Sequence, residues 1–194
     1  MNNLIETLSE LEKQQIKIVE YSKNQTIFFE GEECQNIGIV IAGKIKISSF
    51  LENGQEMIYK IVQKNDMFGN NLILSSEPKY RGDVIALEDT KIYLLNKEQL
   101  ISFLNQNTKF LISYINDLSN FGKELNLKIK LLTINDAKER LLYFMQINNN
   151  QIKYKTITDL AKIIYLTRES LSRTMHDLER KQIIKIKDKT ITKI

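Results

Sequence analysis

The chain has 194 residues, of which 42% are hydrophobic and 27% charged, a composition typical of globular proteins of one or two domains. No apolar run approaches the roughly 20 residues that a membrane-spanning helix needs, and we see no secretory signal, so we expect a cytoplasmic protein without a membrane partner. Cys34 is the only cysteine, which excludes an intramolecular disulfide and a metal cluster held by four cysteines of one chain. No catalytic or nucleotide-loop motif is present, so we predict no catalytic residue, metal site or cofactor and do not expect an enzyme.

The net charge of +4 is distributed unevenly along the chain. Residues 150–194 hold 11 Lys and Arg against 5 Asp and Glu, a net +6, whereas the remaining residues hold 17 against 19, a net −2. A basic excess confined to one end is typical of a nucleic-acid-binding domain. A solvated basic tail would have the same composition, so charge alone leaves both interpretations open.

The first hundred residues carry the pattern of an antiparallel β domain. Ser9 and Glu12 form a capping-box signature, which predicts an early helix with Ile16 and Val19 among its apolar positions. Glycine-punctuated β-type runs follow at 26–29, 37–42, 45–47, 57–62 and 91–95. Short strands separated by turn residues favour a sandwich or barrel.

Helical patterns replace the strands after Leu95. Asn96, with Gln99 three residues later, predicts a capped helix through Phe103, and a second, long helix is predicted from Thr108 to about Leu132. The apolar positions that we assign to a dimer seam on this long helix are Leu111, Tyr114, Leu118, Phe121, Leu125 and Leu132. A seven-residue apolar repeat indicates a coiled-coil seam, but packing against the helix's own domain would produce the same stripe.

The last sixty residues resemble a winged helix-turn-helix. Helices are predicted at 137–147, 158–165 (capped by Thr158) and 167–181 (capped by Thr167), followed by two strands at 183–186 and 190–194 that form a wing. The third of these helices places Leu171, Met175 and Leu178 on one apolar face. The opposite face carries the residues predicted to contact DNA: Thr167, Arg168, Glu169, Ser172, Arg173 and His176.

These polar side chains have the chemistry of a recognition helix. Arginine can donate two hydrogen bonds to guanine, and glutamate can accept one from the cytosine amino group. Glu169 could instead be an acid favoured by the helix dipole, and His176 is as consistent with a structural role as with a phosphate contact. The residue types therefore favour base reading without settling each contact.

The segment Thr167-Arg168-Glu169-Ser170-Leu171-Ser172-Arg173 resembles the recognition helix of the Crp/Fnr regulators, whose pattern is Ser/Thr-Arg-Glu-x-x-Gly/Ser-Arg. The segments 29–32, 43–47 and 54–56 resemble the β-roll of that family, and Asp66-Met67-Phe68-Gly69 resembles the entry to its phosphate-binding cassette. The resemblance implies base contacts by Arg168, Glu169 and Arg173. Tyr165 departs from the glycine that the family often has in the turn.

The cassette departs from the pattern of the cyclic-nucleotide binders. The family places an acid after the Phe-Gly pair and an Arg-Ser/Thr pair further along, whereas this chain has Asn70 and the sequence Arg81-Gly82-Asp83. We assign Gly69, Asn70, Asn71 and Arg81 to an effector pocket and expect no response to cyclic AMP. Cys34 is a weak candidate for a redox switch.

Together these patterns predict an α+β fold with three parts: a β-roll (cyclic-nucleotide-binding-like jelly roll) over 1–106, a long dimerisation helix over 107–134, and a winged helix-turn-helix over 135–194. The function implied is a homodimeric bacterial transcription regulator that binds an inverted repeat in double-stranded DNA. RNA polymerase and an unidentified small-molecule effector are further candidate partners. The alternative is a β-roll sensor whose C-terminal domain contacts a protein instead of DNA.

Overall fold

The computed structural model of the protein describes residues 4–194. The chain divides into two compact units, one ending at Ser119 and the other beginning at Asn120. Each unit has its own hydrophobic core. Within residues 4–194, no helix is both long and apolar enough to cross a bilayer.

The N-terminal unit is an antiparallel β-roll. After a 3-10 turn (Leu4–Thr7) and helix α1 (Glu10–Gln14), its strands are β1 (Lys17–Tyr21), β2 (Thr26–Phe28), β3 (Asn36–Ala42), β4 (Lys44–Phe50), β5 (Glu56–Gln63), β6 (Met67–Phe68), β7 (Asp83–Ala86) and β8 (Thr90–Asn96). They form two four-stranded sheets, in the orders β1-β8-β3-β6 and β2-β7-β4-β5. The side chains of Ile37, Ile45 and Ile92 are fully buried and belong to one core shared by both sheets.

Glycines shape the β-roll at turns and at one close contact. Gly43, Gly54 and Gly69 adopt positive φ values of +85°, +79° and +77°, which glycine tolerates better than other residues. Gly38 has a different role, because a Cβ there would lie 2.0 Å from the ring of Phe68 on the neighbouring strand β6. Only a residue without a side chain lets this ring cover β3.

The early helix is present but shorter than the sequence suggests. Ser9 caps α1 with the full capping box, as predicted, and the helix ends at Gln14. The helical position predicted for Val19 is wrong, because Val19 pairs with Ile92 in the β1–β8 ladder. The pairing with β8 decides the structure here, since a five-residue strand on a sheet edge leaves little local signal.

Two helices close the N-terminal unit and continue beyond it. Helix α2 (Lys97–Gln106) has the predicted Asn96/Gln99 capping box, and α3 runs over Thr108–Thr133, within one residue of the predicted end. Asn107 separates them: its side-chain oxygen accepts the N–H of Phe110 at 3.0 Å and its amide donates to the carbonyl of Thr7 at 3.0 Å. The first contact replaces the hydrogen bond that the Phe110 N–H would make within a continuous helix, and the second joins this break to the N-terminal segment.

The C-terminal unit contains three further helices and a small sheet. Its elements are α4 (Ala137–Ile147), β9 (Gln151–Lys153), α5 (Ile157–Ile163), α6 (Arg168–Arg180), β10 (Ile184–Lys187) and β11 (Thr190–Lys193). The wing is confirmed, and β9 adds a third strand to it in the order β10-β11-β9. The cap predicted at Thr158 is wrong: the Thr156 hydroxyl oxygen accepts the N–H of Asp159 at 3.0 Å and donates to its carboxylate at 2.7 Å. The α+β fold is as predicted.

Candidate nucleic-acid interface

Helix α6 is held by one apolar face and leaves its polar face exposed. Thr167 caps it, as predicted, by accepting the N–H of Ser170 at 3.1 Å. Leu171, Met175 and Leu178 are buried in the core of the C-terminal unit. Their spacing fixes the rotation of the helix, so the residues between them face solvent.

The exposed face carries the residues that the sequence singles out. Thr167, Arg168, Glu169, Arg173 and His176 are exposed, and Ser172 is half-buried. Within residues 4–194, neither Arg168 nor Arg173 forms an ion pair with a carboxylate. The Arg173 Nε donates only a long bond, 3.4 Å, to the carbonyl of Glu169. Both guanidinium groups therefore keep donors for an external acceptor such as a base edge or a phosphate.

The last turn of the same helix is different. Asp177 pairs with Arg180 at 2.8 Å and with Lys181 at 2.7 Å. Hydrogen bonds from Lys181 and then Arg180 lower the pKa of the Asp177 carboxyl below its usual value. The cations at this end are partly neutralised, so the binding capacity of α6 lies in its N-terminal half, which is the half that a recognition helix presents to the major groove.

The turn between α5 and α6 has an unusual backbone. Tyr165 adopts φ +57°, a left-handed conformation that explains why related sequences use glycine there. The N–H of Leu166 returns to the carbonyl of Ala161 at 2.9 Å, and the Lys128 ammonium lies 5.6 Å from the centre of the Tyr165 ring. A cation over an aromatic face offsets part of the cost of this conformation.

Arg140 is a buried residue that the sequence analysis did not identify. Its guanidinium donates to the carbonyls of Ile134, at 2.5 and 2.8 Å, and of Tyr165, at 2.5 Å. These hydrogen bonds connect the segment before α4 to the turn between α5 and α6. A charge that is 8% exposed needs such partners to be stable, and a single arginine in a helical pattern gives no signal of this role.

The wing adds cations that the sequence analysis did not assign to the site. Lys185, Lys187, Lys189 and Lys193 are exposed, and Ile184 and Ile191 between them are buried. Lys185 and Lys187 alternate with Ile184 and Ile186 along β10, so these two lysines share the solvent face of the hairpin. A cleft of about 420 Å³ is lined by Lys185 and Lys187 with neighbouring wing residues. Phosphate oxygens are the natural partners of such a face.

The four residues predicted to form the effector pocket differ in their exposure to solvent. Gly69 is buried, Asn70 half-buried, and Asn71 and Arg81 exposed. Arg81 reaches solvent and lies 3.5 Å from the Glu77 carboxylate. Its neighbour Tyr80 is buried, stacks on Phe28 at 4.4 Å and donates its hydroxyl to the carbonyl of Asn36 at 2.8 Å. Because adjacent side chains of an extended segment point to opposite sides, inward Tyr80 directs Arg81 outward.

Cys34 lies in the interior instead of on an accessible loop. Its side chain is 1% exposed, with the carbonyls of Asn36 and Gly69 at 3.5 and 3.7 Å from the sulfur. Burial raises the pKa of the thiol, and the hydrogen bond with Tyr80 opposes this shift. A buried, protonated thiol is a poor nucleophile.

The six residues of α3 that are predicted to form the dimer seam differ in their exposure to solvent. Phe121, Leu125 and Leu132 are 37%, 44% and 48% exposed, whereas Leu111 and Leu118 are half-buried. Tyr114 is 3% exposed and donates its hydroxyl to the carbonyl of Asn70 at 2.6 Å. Tyr114 therefore packs in the core of its own unit and leaves almost no side-chain area for a second copy.

Comparison with known proteins agrees with this architecture. The family model for the cyclic nucleotide-binding domain matches residues 18–107. The anaerobic regulatory protein of Bacillus subtilis is 26% identical over 175 residues, 84% of this chain and 74% of that protein. The cyclic AMP receptor protein of Thermus thermophilus is 22% identical over 178 residues, 88% of this chain and 81% of that protein.

A solved structure shares the fold. The catabolite activator protein of Thermus thermophilus superposes with a TM-score of 0.58 at 20% identity, covering 100% of this chain and 94% of that one. The relatives that match over most of this chain are transcription regulators. Residues 18–107 thus match the cyclic nucleotide-binding domain, and over most of its length the chain is similar to regulators of the Crp/Fnr type.

Proposed function

We propose that this regulator binds DNA as a homodimer that reads an inverted repeat with the N-terminal half of α6 from each copy. The observation that carries the proposal is the exposed polar face of α6, where Arg168 and Arg173 have no carboxylate partner within the described residues. Arginines in this state are suited to bidentate contacts with guanine O6 and N7. Two such helices about 34–36 Å apart would enter successive major grooves on one side of the duplex.

Glu169 supplies the complementary chemistry. Its carboxylate is exposed in the first turn of α6, where the helix dipole favours a negative charge. In the major groove it can accept a hydrogen bond from the cytosine amino group, the partner base of the guanine that an arginine reads. Arginine and glutamate on adjacent turns therefore predict half-sites in which G·C pairs carry most of the specificity.

The wing lysines supply affinity without sequence preference. Lys185 and Lys187 lie on the exposed side of β10 and have no ion-pair partner among residues 4–194. Each phosphate that such a lysine neutralises releases condensed counterions, so binding strengthens as the salt concentration falls. We assign the wing to the phosphate backbone beside the groove that α6 occupies.

We also propose that DNA binding does not require cyclic AMP. The residue after Phe68-Gly69 is Asn70, which lacks the charge needed to hold a ribose hydroxyl as a carboxylate does. The one arginine of the cassette, Arg81, faces solvent beside Glu77. The residue after Arg81 is Gly82, which has no hydroxyl for a phosphate, and the nearby Asp83 carboxylate accepts the N–H of Glu30 at 2.8 Å.

The proposal is tested by selecting bound sequences from a random duplex pool with the purified protein and no added ligand. We expect enrichment of an inverted repeat with G·C pairs at fixed positions and half-sites one helical turn apart. DNA binding would be contradicted if no sequence were enriched and the protein either failed to bind heparin or bound it independently of the salt concentration. That result would favour instead a protein partner for the C-terminal unit.

A further inference from the structure

We infer that Tyr165 and Lys128 are positioning residues that set the spacing between the two half-sites read by the regulator. The inference rests on the proposed homodimer, and it names the contacts that hold α6 against the end of α3 in each copy. Tyr165 lies two residues before Thr167, the cap of α6. A shift of Tyr165 therefore moves the start of α6, which is the half of the helix that carries the DNA-contacting residues.

Two separate helices hold Tyr165 within the C-terminal unit. From α3, the ammonium of Lys128 lies 5.6 Å from the centre of the Tyr165 ring. From α4, the guanidinium of Arg140 donates to the Tyr165 carbonyl at 2.5 Å. One contact fixes the side chain and the other fixes the backbone. The turn between α5 and α6 therefore cannot move against α3 and α4 without losing at least one of them.

The part of α3 that contacts the turn is itself firmly packed. Leu131, three residues after Lys128, lies on the same side of the helix and is 1% exposed. Lys128 is half-buried, although lysine ammonium groups usually extend into solvent. Among residues 4–194, Lys128 forms no ion pair with a carboxylate. The aromatic face of Tyr165 is therefore its principal partner, and the contact joins two elements of defined position.

The conformation and exposure of Tyr165 indicate a role other than core packing. Its φ of +57° is left-handed, a conformation that strains every residue type except glycine to some degree. Its side chain is 39% exposed, whereas the neighbouring Ile164 is fully buried. The strained backbone is thus not compensated by a buried ring. The contacts with Lys128 and Arg140 are what distinguish a tyrosine here from a glycine.

A fixed turn has a direct consequence for the DNA that a dimer can bind. One base pair of spacer moves a half-site by about 3.4 Å along the duplex and by about 35° around it. Two α6 helices that are each held against α3 match one spacing and are misplaced at its neighbours. A turn without the Lys128–Tyr165 contact lets each α6 adjust, so it discriminates less between spacings while it reads the same bases.

The inference is tested by measuring the affinity of the full-length protein for the selected repeat and for duplexes whose spacer is one base pair shorter or longer. In Tyr165→Gly and in Lys128→Met, we expect the preference for the selected spacing to fall by about three- to tenfold, with unchanged base preferences within each half-site. Glycine adopts the left-handed conformation without strain, so the melting temperature of Tyr165→Gly should stay close to that of the unsubstituted protein. A merely structural role would lower the melting temperature and leave the spacing preference unchanged.

Two further variants are matched controls. Tyr165→Phe keeps an aromatic face for Lys128 and should keep the spacing preference. Lys130→Met removes the same charge from the same helix, but the Lys130 ammonium lies 5.8 Å from the ring of Tyr143 in α4 instead of contacting the turn, so the preference should again be unchanged. An unchanged preference in Tyr165→Gly and Lys128→Met, or an equal loss in Lys130→Met, would overturn the inference and leave DNA binding in place. Failure of the unsubstituted protein to bind any repeat specifically would overturn the proposed function, and the inference with it.

Discussion

In the C-terminal unit, the side chains predicted to contact DNA lie together on the exposed half of one helix. In the N-terminal unit, the residues predicted to bind an effector differ in exposure, and the one arginine among them faces solvent. Arg173 is unpaired among the described residues, while Arg81 already lies beside Glu77. The interior next to the cassette is filled by Phe28, Phe68 and Tyr80. The comparison teaches that the candidate DNA-contacting residues of this chain are gathered on one exposed face, whereas its candidate effector residues are not.

The largest expected effect is that of Arg173→Ala on specific DNA binding. A bidentate arginine–guanine contact contributes about 1–3 kcal/mol, and a dimer loses it twice, so affinity for the selected repeat falls by about 30-fold to more than 10,000-fold. Fluorescence anisotropy measures the loss. Arg180→Ala is the matched control on the same helix, because Arg180 is paired with Asp177 in the last turn. Equal effects of the two substitutions would contradict the division of α6 into a reading half and a paired half.

Leu125→Glu should separate the copies. A carboxylate at this exposed position of the predicted seam would face its own copy, and two like charges at close range cannot be buried together. We expect sedimentation as a monomer, with loss of cooperative binding to the inverted repeat. Asn120→Glu adds the same charge to an exposed position outside the seam and should remain dimeric. A dimeric Leu125→Glu protein would place the interface outside this helix.

A smaller effect is expected from the wing. Replacing Lys185 and Lys187 by alanine should weaken binding to specific and random duplexes alike, because these side chains meet phosphates and not bases. The slope of log affinity against log salt should decrease by about 3–4 for the dimer, at roughly 0.9 for each contact. A loss confined to the selected sequence would instead make the wing a base reader.

The smallest effect concerns Cys34. Burial raises the pKa of its thiol, so at pH 8 the native protein holds less thiolate than a free cysteine and should react more slowly with an aromatic disulfide. The Cys34 thiol loses its proton at a higher pH than a free cysteine does. We therefore expect its labelling rate to rise at a correspondingly higher pH. Rapid labelling of the native protein, accompanied by a change in DNA affinity, would support a redox role for Cys34.

Local signals allowed much of this fold to be predicted from the sequence. Asn96 with Gln99 and Ser9 with Glu12 form the predicted capping boxes, and Thr167 caps α6. These motifs depend on residues three positions apart, so no tertiary information is needed to recognise them.

The missed features depend on contacts between distant residues. Val19 is in a strand because β8 lies beside it, and β9 is a strand because Ile152 pairs with Ile191. The burial of Tyr114 follows from its contact with Asn70, 44 residues away. The leucine repeat is a local pattern, so it could not show which residues between the leucines are buried within their own unit.

The most direct test of the account is equilibrium binding of the full-length protein to the selected inverted repeat, with and without cyclic AMP, at one fixed salt concentration. The account predicts a dissociation constant within about 10⁻⁸–10⁻¹¹ M, typical of specific regulators, and the same value in both conditions. Binding that appears only when cyclic AMP is added would contradict the proposal that DNA binding does not require cyclic AMP. Absence of specific binding in both conditions would contradict the central claim that the exposed half of α6 reads DNA without a cyclic nucleotide.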